Sequence, residues 1–173
     1  MAEAQPLHRN AQRAQEALAA AGVLAEVRQL ADSARTSVEA AAALGVQVGQ
    51  IAKSLVFVAD GAPVVVIASG PDRVDLALTA KALGAASVSR ADADAVRAAT
   101  GYPIGGVSPA GLPDGLAVLV DRGLAAYEVV WAAAGTPHTV YPTNFAELLH
   151  VTGGRAVDVR EQGRRASAPG ATT

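Results

Sequence analysis

Lysine occurs only twice in the 173 residues, at Lys53 and Lys81; arginine supplies the remaining positive charge. Lys53 stands at the head of SLVFVA, a run of apolar, strand-forming residues. A compact, mobile ammonium in that place can bind a phosphate or carboxylate, polarise a carbonyl, or orient a water or hydroxyl. A Schiff base would require a lowered pKa. The plain alternative is a solvent-facing lysine whose stem covers apolar neighbours. A second cluster lies in TGYPIGGVSPAGLPDG, residues 100–115, where five glycines and three prolines fall within 16 residues. Loops of that length in compact domains tend to be functional or disordered. Gly105 and Gly106 allow the backbone to approach a ligand closely and to aim N–H groups as an oxyanion hole. Beyond Val107, Ser108 adds a hydroxyl and Pro109 stiffens the geometry. Tyr102 either lines a pocket or packs. A third break, GTPH, offers Gly135 and His138. The imidazole is a donor or base near neutral pH, or an ordinary surface side chain. His8 and His150 fall in helices and are set aside.

Other chemistries find little support. There is no GxxxxGK[ST] phosphate loop, no GxGxxG after a strand and no paired-histidine spacing for zinc. GVSPA resembles a nucleophile elbow, but Ala110 replaces the closing glycine and Pro109 follows the serine, so a triad with Asp121 and His138 is disfavoured. Cysteine is absent, which excludes disulfides, thiolate metal sites and a cysteine nucleophile. The net charge of −2 lacks the basic footprint of a nonspecific nucleic-acid binder, while a few arginines can still contact a short duplex. No apolar run reaches the roughly 18–20 residues of a membrane span, and the first residues lack an apolar signal core, so a cytoplasmic, soluble protein is expected.

The elements that must hold these residues can be read from periodicity and punctuation. A helix is expected over 7–21, stopped by Gly22, then a strand over 23–30. Thr36, Glu39 and Gly45 mark a capped helix with a terminator. A short helical turn leads into Lys53. Strands over 54–59 and 63–68 are joined by Asp60-Gly61, a hairpin signal. A helix over 74–83 ends at Gly84, a short strand covers 86–90, and Asp92 caps a helix over 93–99. Beyond the long loop come strands at 116–121, 129–135 and 138–143. A helix capped by Asn144 runs to Thr152, and a last strand covers 155–159. The composition, 51% hydrophobic and 17% charged, is that of a folded domain. The sum is one α/β (α+β) domain over 1–160, with about seven strands in a mixed, curved, partly barrel-like sheet surrounded by helices, and a disordered tail over 161–173.

QIAKSLVF, followed by LGAASVSRADADAVRAATGYPIGGVSP, resembles the YbaK and prolyl-tRNA-synthetase-associated editing-domain family, from about residue 24 to 159. The resemblance implies a single-domain, metal- and cofactor-free aminoacyl-tRNA deacylase. Its substrate would be the acceptor end of a mischarged tRNA, such as tRNA(Pro) carrying cysteine, alanine or another small residue, with prolyl-tRNA synthetase as a partner. It carries Lys53 over as the essential lysine and Gly105–Pro109 as the substrate-binding loop, and Ser54 leans toward the YbaK-like branch. Chemistry in such proteins leans on the substrate itself, through its tRNA hydroxyl or a cysteine thiol. The need for them is physical, because a pocket for one apolar side chain rejects a smaller one by only about 1–3 kcal/mol per methylene. Arg73, Arg90 and Arg97 are candidate phosphate contacts. The competing classes are a non-catalytic aminoacyl-adenosine, tRNA or synthetase binding module, and an esterase acting on small free esters.

Overall fold

A computed structural model of the chain describes residues 5–162. Short polar side chains start four of its helices, each by accepting a backbone N–H three residues on. Thr36 caps α2 (Ser37–Leu44), Asp75 caps α3 (Leu76–Leu83), Asp92 caps α4 (Ala93–Thr100) and Asn144 caps α5 (Phe145–Thr152). Each of the four ends on a glycine in the left-handed region. Glu39 reaches back to the N–H of Arg35, one residue before the cap, so the expected capping box closes on its neighbour. The first helix, α1 (Arg9–Ala20), buries Ala11, Ala14 and Leu18.

Eight strands form one mixed sheet among the described residues: β1 (Arg28–Gln29), β2 (Ile51–Ala59), β3 (Ala62–Ser69), β4 (Val88–Arg90), β5 (Ala117–Asp121), β6 (Val130–Ala133), β7 (Thr139–Thr143) and β8 (Arg155–Val157). Their order is β1-β7-β6-β2-β3-β5-β8, with β4 on the side of β2. The hairpin β2–β3 is antiparallel over its whole length, from Ala52↔Ser69 to Ala59↔Ala62. The strand expected over 23–30 shrinks to β1, and the long loop carries no regular structure before β5.

The other edge of β2 is shared. Parallel β6 pairs only with Ile51 and Ala52, and antiparallel β4 only with Phe57, Val58 and Ala59. Between them the sheet splits. The carbonyl of Val56 accepts the N–H of Ala91 on this edge. Backbone groups of alternate strand residues face the same edge, so the N–H and C=O of Ser54 point into the split.

Side-chain alternation does the rest. Ala52 and Val56 join the main core with Val65, Ile67, Leu124 and Leu148. Ile51 and Phe57 lie on the opposite face. Ile51 packs with Ala40 and Ala41 of α2, and Phe57 packs with Leu78 and Leu83 of α3. Lys53 shares that face and emerges between the two helices. The expected tail begins within the described residues, where the N–H of Glu161 bonds the carbonyl of Arg73 at 2.7 Å. The remainder of that tail lies outside them.

Candidate functional site

Lys53 is half-buried, and its ammonium donates to the carbonyls of Gly70, at 3.0 Å, and Asp72. Both acceptors belong to the turn that follows β3. Gly70 is required there, since a Cβ would stand 2.4 Å from the carbonyl oxygen of Val48. With three N–H donors and two of them engaged, the ammonium keeps one for a ligand. Burial first, then the nearby guanidinium groups of Arg73 and Arg90, hold its pKa below that of an ordinary lysine, while the Asp72 carboxylate opposes them.

The ammonium opens onto a cavity of about 610 Å³ that occupies the split in the sheet. That volume suits a small-molecule or nucleoside-sized ligand. Lys53, Ser54, Val56, Trp131, Gly105 and Val107 contribute to its walls. So do Arg35, Arg73 and Arg90, with Glu161 as the one carboxylate among the described lining residues. None of these three guanidinium groups has an ion pair or hydrogen bond among the described residues, so positive charge is concentrated here on a chain of net negative charge. The hydroxyl of Ser54 is buried and has no partner among the described residues.

The structure sorts the residues singled out from sequence. Lys53, Gly105 and Val107 meet at the cavity, whereas Tyr102, Gly106, Ser108, Pro109, Gly135 and His138 are not part of its lining. Tyr102 is buried, with its hydroxyl donating to the carbonyl of Ala110 at 2.7 Å. Burial raises its pKa. Ser108 is also fully buried and its Oγ accepts the N–H of Ala110, so its hydroxyl braces the loop. The N–H of Gly106 is bonded to the carbonyl of Pro103, at 2.9 Å, and is unavailable as an oxyanion donor. The N–H groups of Gly105 and Val107 have no such partner among the described residues. Gly106 serves close approach, because a Cβ would stand 2.9 Å from the Cα of Thr136. Pro109 is buried behind the wall. Gly135 backs onto α1, and exposed His138 uses its backbone to bind Leu30. The cavity takes Thr136, Pro137 and Thr139 from that segment, and takes no atom of Arg97.

Sequence reasoning missed the residues that hold the two loops together. On α1, Arg13 donates to the carbonyls of Thr100, at 3.1 Å, and Gly111, and its guanidinium lies 4.6 Å from the Tyr102 ring centroid. One turn earlier, Asn10 donates to the carbonyl of Gly135 at 3.2 Å. Their spacing, three residues apart on one helix face, was the available signal. Arg35 and Glu161 were also missed.

Comparison with known proteins agrees with this geometry. Residues 31–151 match the family model of the aminoacyl-tRNA editing domain. A proline–tRNA ligase of Nitratidesulfovibrio vulgaris (strain DP4) is 38% identical over 105 residues, which are 61% of this chain and 18% of the ligase. The chain thus spans less than a fifth of the ligases it matches. The protein YwhH of Bacillus subtilis is 30% identical over 124 residues, 71% of this chain and 78% of YwhH. The crystal structure of a candidate trans-editing enzyme for prolyl tRNA synthetase superposes with a TM-score of 0.84 at 39% identity, covering 90% of this chain and 99% of that one. The chain belongs to the aminoacyl-tRNA editing domain family.

Proposed function

We propose that this protein is a trans-acting deacylase that hydrolyses the ester of a mischarged tRNA, with tRNA(Pro) carrying cysteine, alanine or another small amino acid as substrate and prolyl-tRNA synthetase as the enzyme whose errors it removes. The observation that carries the reading is the ammonium of Lys53, fixed by two backbone carbonyls at a cavity lined by three arginines that are unpaired among the described residues. A terminal aminoacyl-adenosine brings an ester carbonyl and a phosphodiester to such a place. The free donor of Lys53 meets the carbonyl oxygen or the nearest phosphate. The N–H groups of Gly105 and Val107, on the facing loop, are the remaining donors for developing negative charge.

Neither Ser54 nor Ser108 is set up as a nucleophile. Ser108 is turned into the loop, and Ser54 has no base beside it among its described hydrogen bonds. The family resemblance points instead to the substrate itself, through the ribose hydroxyl that orients water next to the ester or a cysteine thiol that attacks its own ester, with the protein contributing position and fixed dipoles. Arg73 and Arg90 hold the phosphodiester backbone at the cavity mouth. The site of action is the cytoplasm, where charged tRNA is found.

A panel of Ala-, Ser- and Cys-tRNA(Pro), with Pro-tRNA(Pro) as control, tests this. Hydrolysis of one small aminoacyl ester with the prolyl ester spared supports the reading and names the substrate. Binding of the acceptor end without hydrolysis of any ester would make the protein a binding module. Equal hydrolysis of a free amino-acid ester would make it a general esterase.

A further inference from the structure

The turn that holds the Lys53 ammonium is itself held by a segment beyond the matched family region, which ends at residue 151. Past β8 the chain runs back across the turn. Val159 is fully buried, its N–H bonds the carboxylate of buried Asp121 at 2.9 Å, and its carbonyl accepts the N–H of Asp75 at 2.7 Å. Arg160 then bridges Val74 in antiparallel fashion. The N–H of Glu161 bonds the carbonyl of Arg73 at 2.7 Å. The guanidinium of Arg160 also lies 3.9 Å from the Asp72 carboxylate. Val159, Arg160 and Glu161 thus grip, in order, Asp75, Val74 and Arg73, ending beside the Asp72 carbonyl that accepts from Lys53. The other end of the turn is fixed by Gly70 against Val48.

We propose that Val159–Glu161 is a positioning device for Lys53, a backbone clamp that fixes the two carbonyls of its ammonium cradle. The inference rests on Lys53 being the catalytic lysine only for its consequence in rate; the clamp itself is a statement about geometry. An ammonium on four rotatable bonds loses its aim when its acceptors move, and displacement by about 1 Å can cost about a hundredfold in rate.

Because the chain has two lysines, selective ¹⁵N-lysine labelling gives at most two ammonium resonances, assigned with Lys81→Arg. Hydrogen bonding slows the exchange of the Lys53 protons with water, so its resonance is expected in the wild type. Glu161→Pro removes the N–H that binds Arg73. It favours the extended conformation already present at the bridged Arg160. The expected result is loss of the Lys53 resonance, or at least about tenfold faster exchange, with Tm changed by less than about 4 °C. Glu161→Ala keeps the N–H and is expected to keep the resonance. On a hydrolysed ester, kcat of Glu161→Pro should fall about tenfold with KM within about twofold. An unchanged Lys53 resonance in folded Glu161→Pro would overturn the proposal, as would equal loss of it in Glu161→Ala. Should Glu161→Pro fail to fold, Arg160→Gly compared with Arg160→Ala decides the question, since both remove the guanidinium against Asp72 and only glycine loosens the backbone of the clamp. Faster Lys53 exchange in Arg160→Gly than in Arg160→Ala is then expected, and equal exchange in the two overturns the clamp. The ammonium measurement needs no substrate, so an inactive wild type would defeat the deacylase reading and leave this one standing or falling by itself.

Discussion

At the scale of single residues the site depends on where one cation is held. Lys53→Ala is expected to lower kcat by at least about a hundredfold, with Tm close to wild type because the side chain is only half-buried. Lys53→Arg should not restore it, since a planar guanidinium cannot take the place of a compact ammonium between two carbonyls of one turn. Burial and two arginines lower the pKa of Lys53 below 10.5. In the proposed mechanism the protonated form is the active one, so the lysine-dependent rate is expected below that lowered pKa and is lost as pH rises through it. Subtracting the Lys53→Ala rate at each pH isolates this limb, and a midpoint at or above that of a free lysine would be inconsistent with the cradle. The lysine itself was legible in the sequence, because it is scarce and heads a strand. Its acceptors were not. Gly70 and Asp72 act through backbone carbonyls, which every residue carries, and only the fold brings them beneath residue 53.

At the scale of elements, caps and terminating glycines placed four helices, since those signals are local. The split in the sheet was not local. It depends on β4 and β6 sharing one edge of β2 from positions far apart in the chain. The long loop was legible as a break in regular structure, and Gly105 and Val107 bring it to the cavity wall, but its inner wiring was not legible. Ser108 and Tyr102 turn inward because buried loop backbone needs partners, and these hydroxyls supply them. Tyr102→Phe should therefore leave the Ala110 carbonyl unpaired and cost about 1–3 kcal/mol in urea unfolding, with little direct effect on binding. Gly106→Ala should cost both stability and activity. Its Cβ would press on the backbone of Gly135 and Thr136, at 2.9–3.0 Å, and push the two loops apart. A fall of about tenfold or more in kcat/KM is expected, with about 1–3 kcal/mol of destabilisation.

At the scale of the whole molecule, a net charge of −2 hid a concentrated positive mouth, because composition averages over the surface. Arg35, Lys53, Arg73 and Arg90 converge only after folding. If Arg73 and Arg90 hold the acceptor strand, replacing either by alanine should weaken the salt dependence of kcat/KM, by about 0.7 in the log–log slope per lost contact on single-stranded RNA. Hydrolysis of an aminoacyl-adenosine, which keeps the ester and its ribose hydroxyl but carries no phosphate, should be untouched. An unchanged slope would place the tRNA elsewhere. The most direct test of the account compares wild type with Lys53→Ala on the best-hydrolysed mischarged tRNA, under single turnover, together with binding of the same tRNA uncharged. The account predicts that the variant binds within a few-fold of wild type and loses at least about a hundredfold in the rate of ester cleavage. Cleavage at the wild-type rate by folded Lys53→Ala would contradict it.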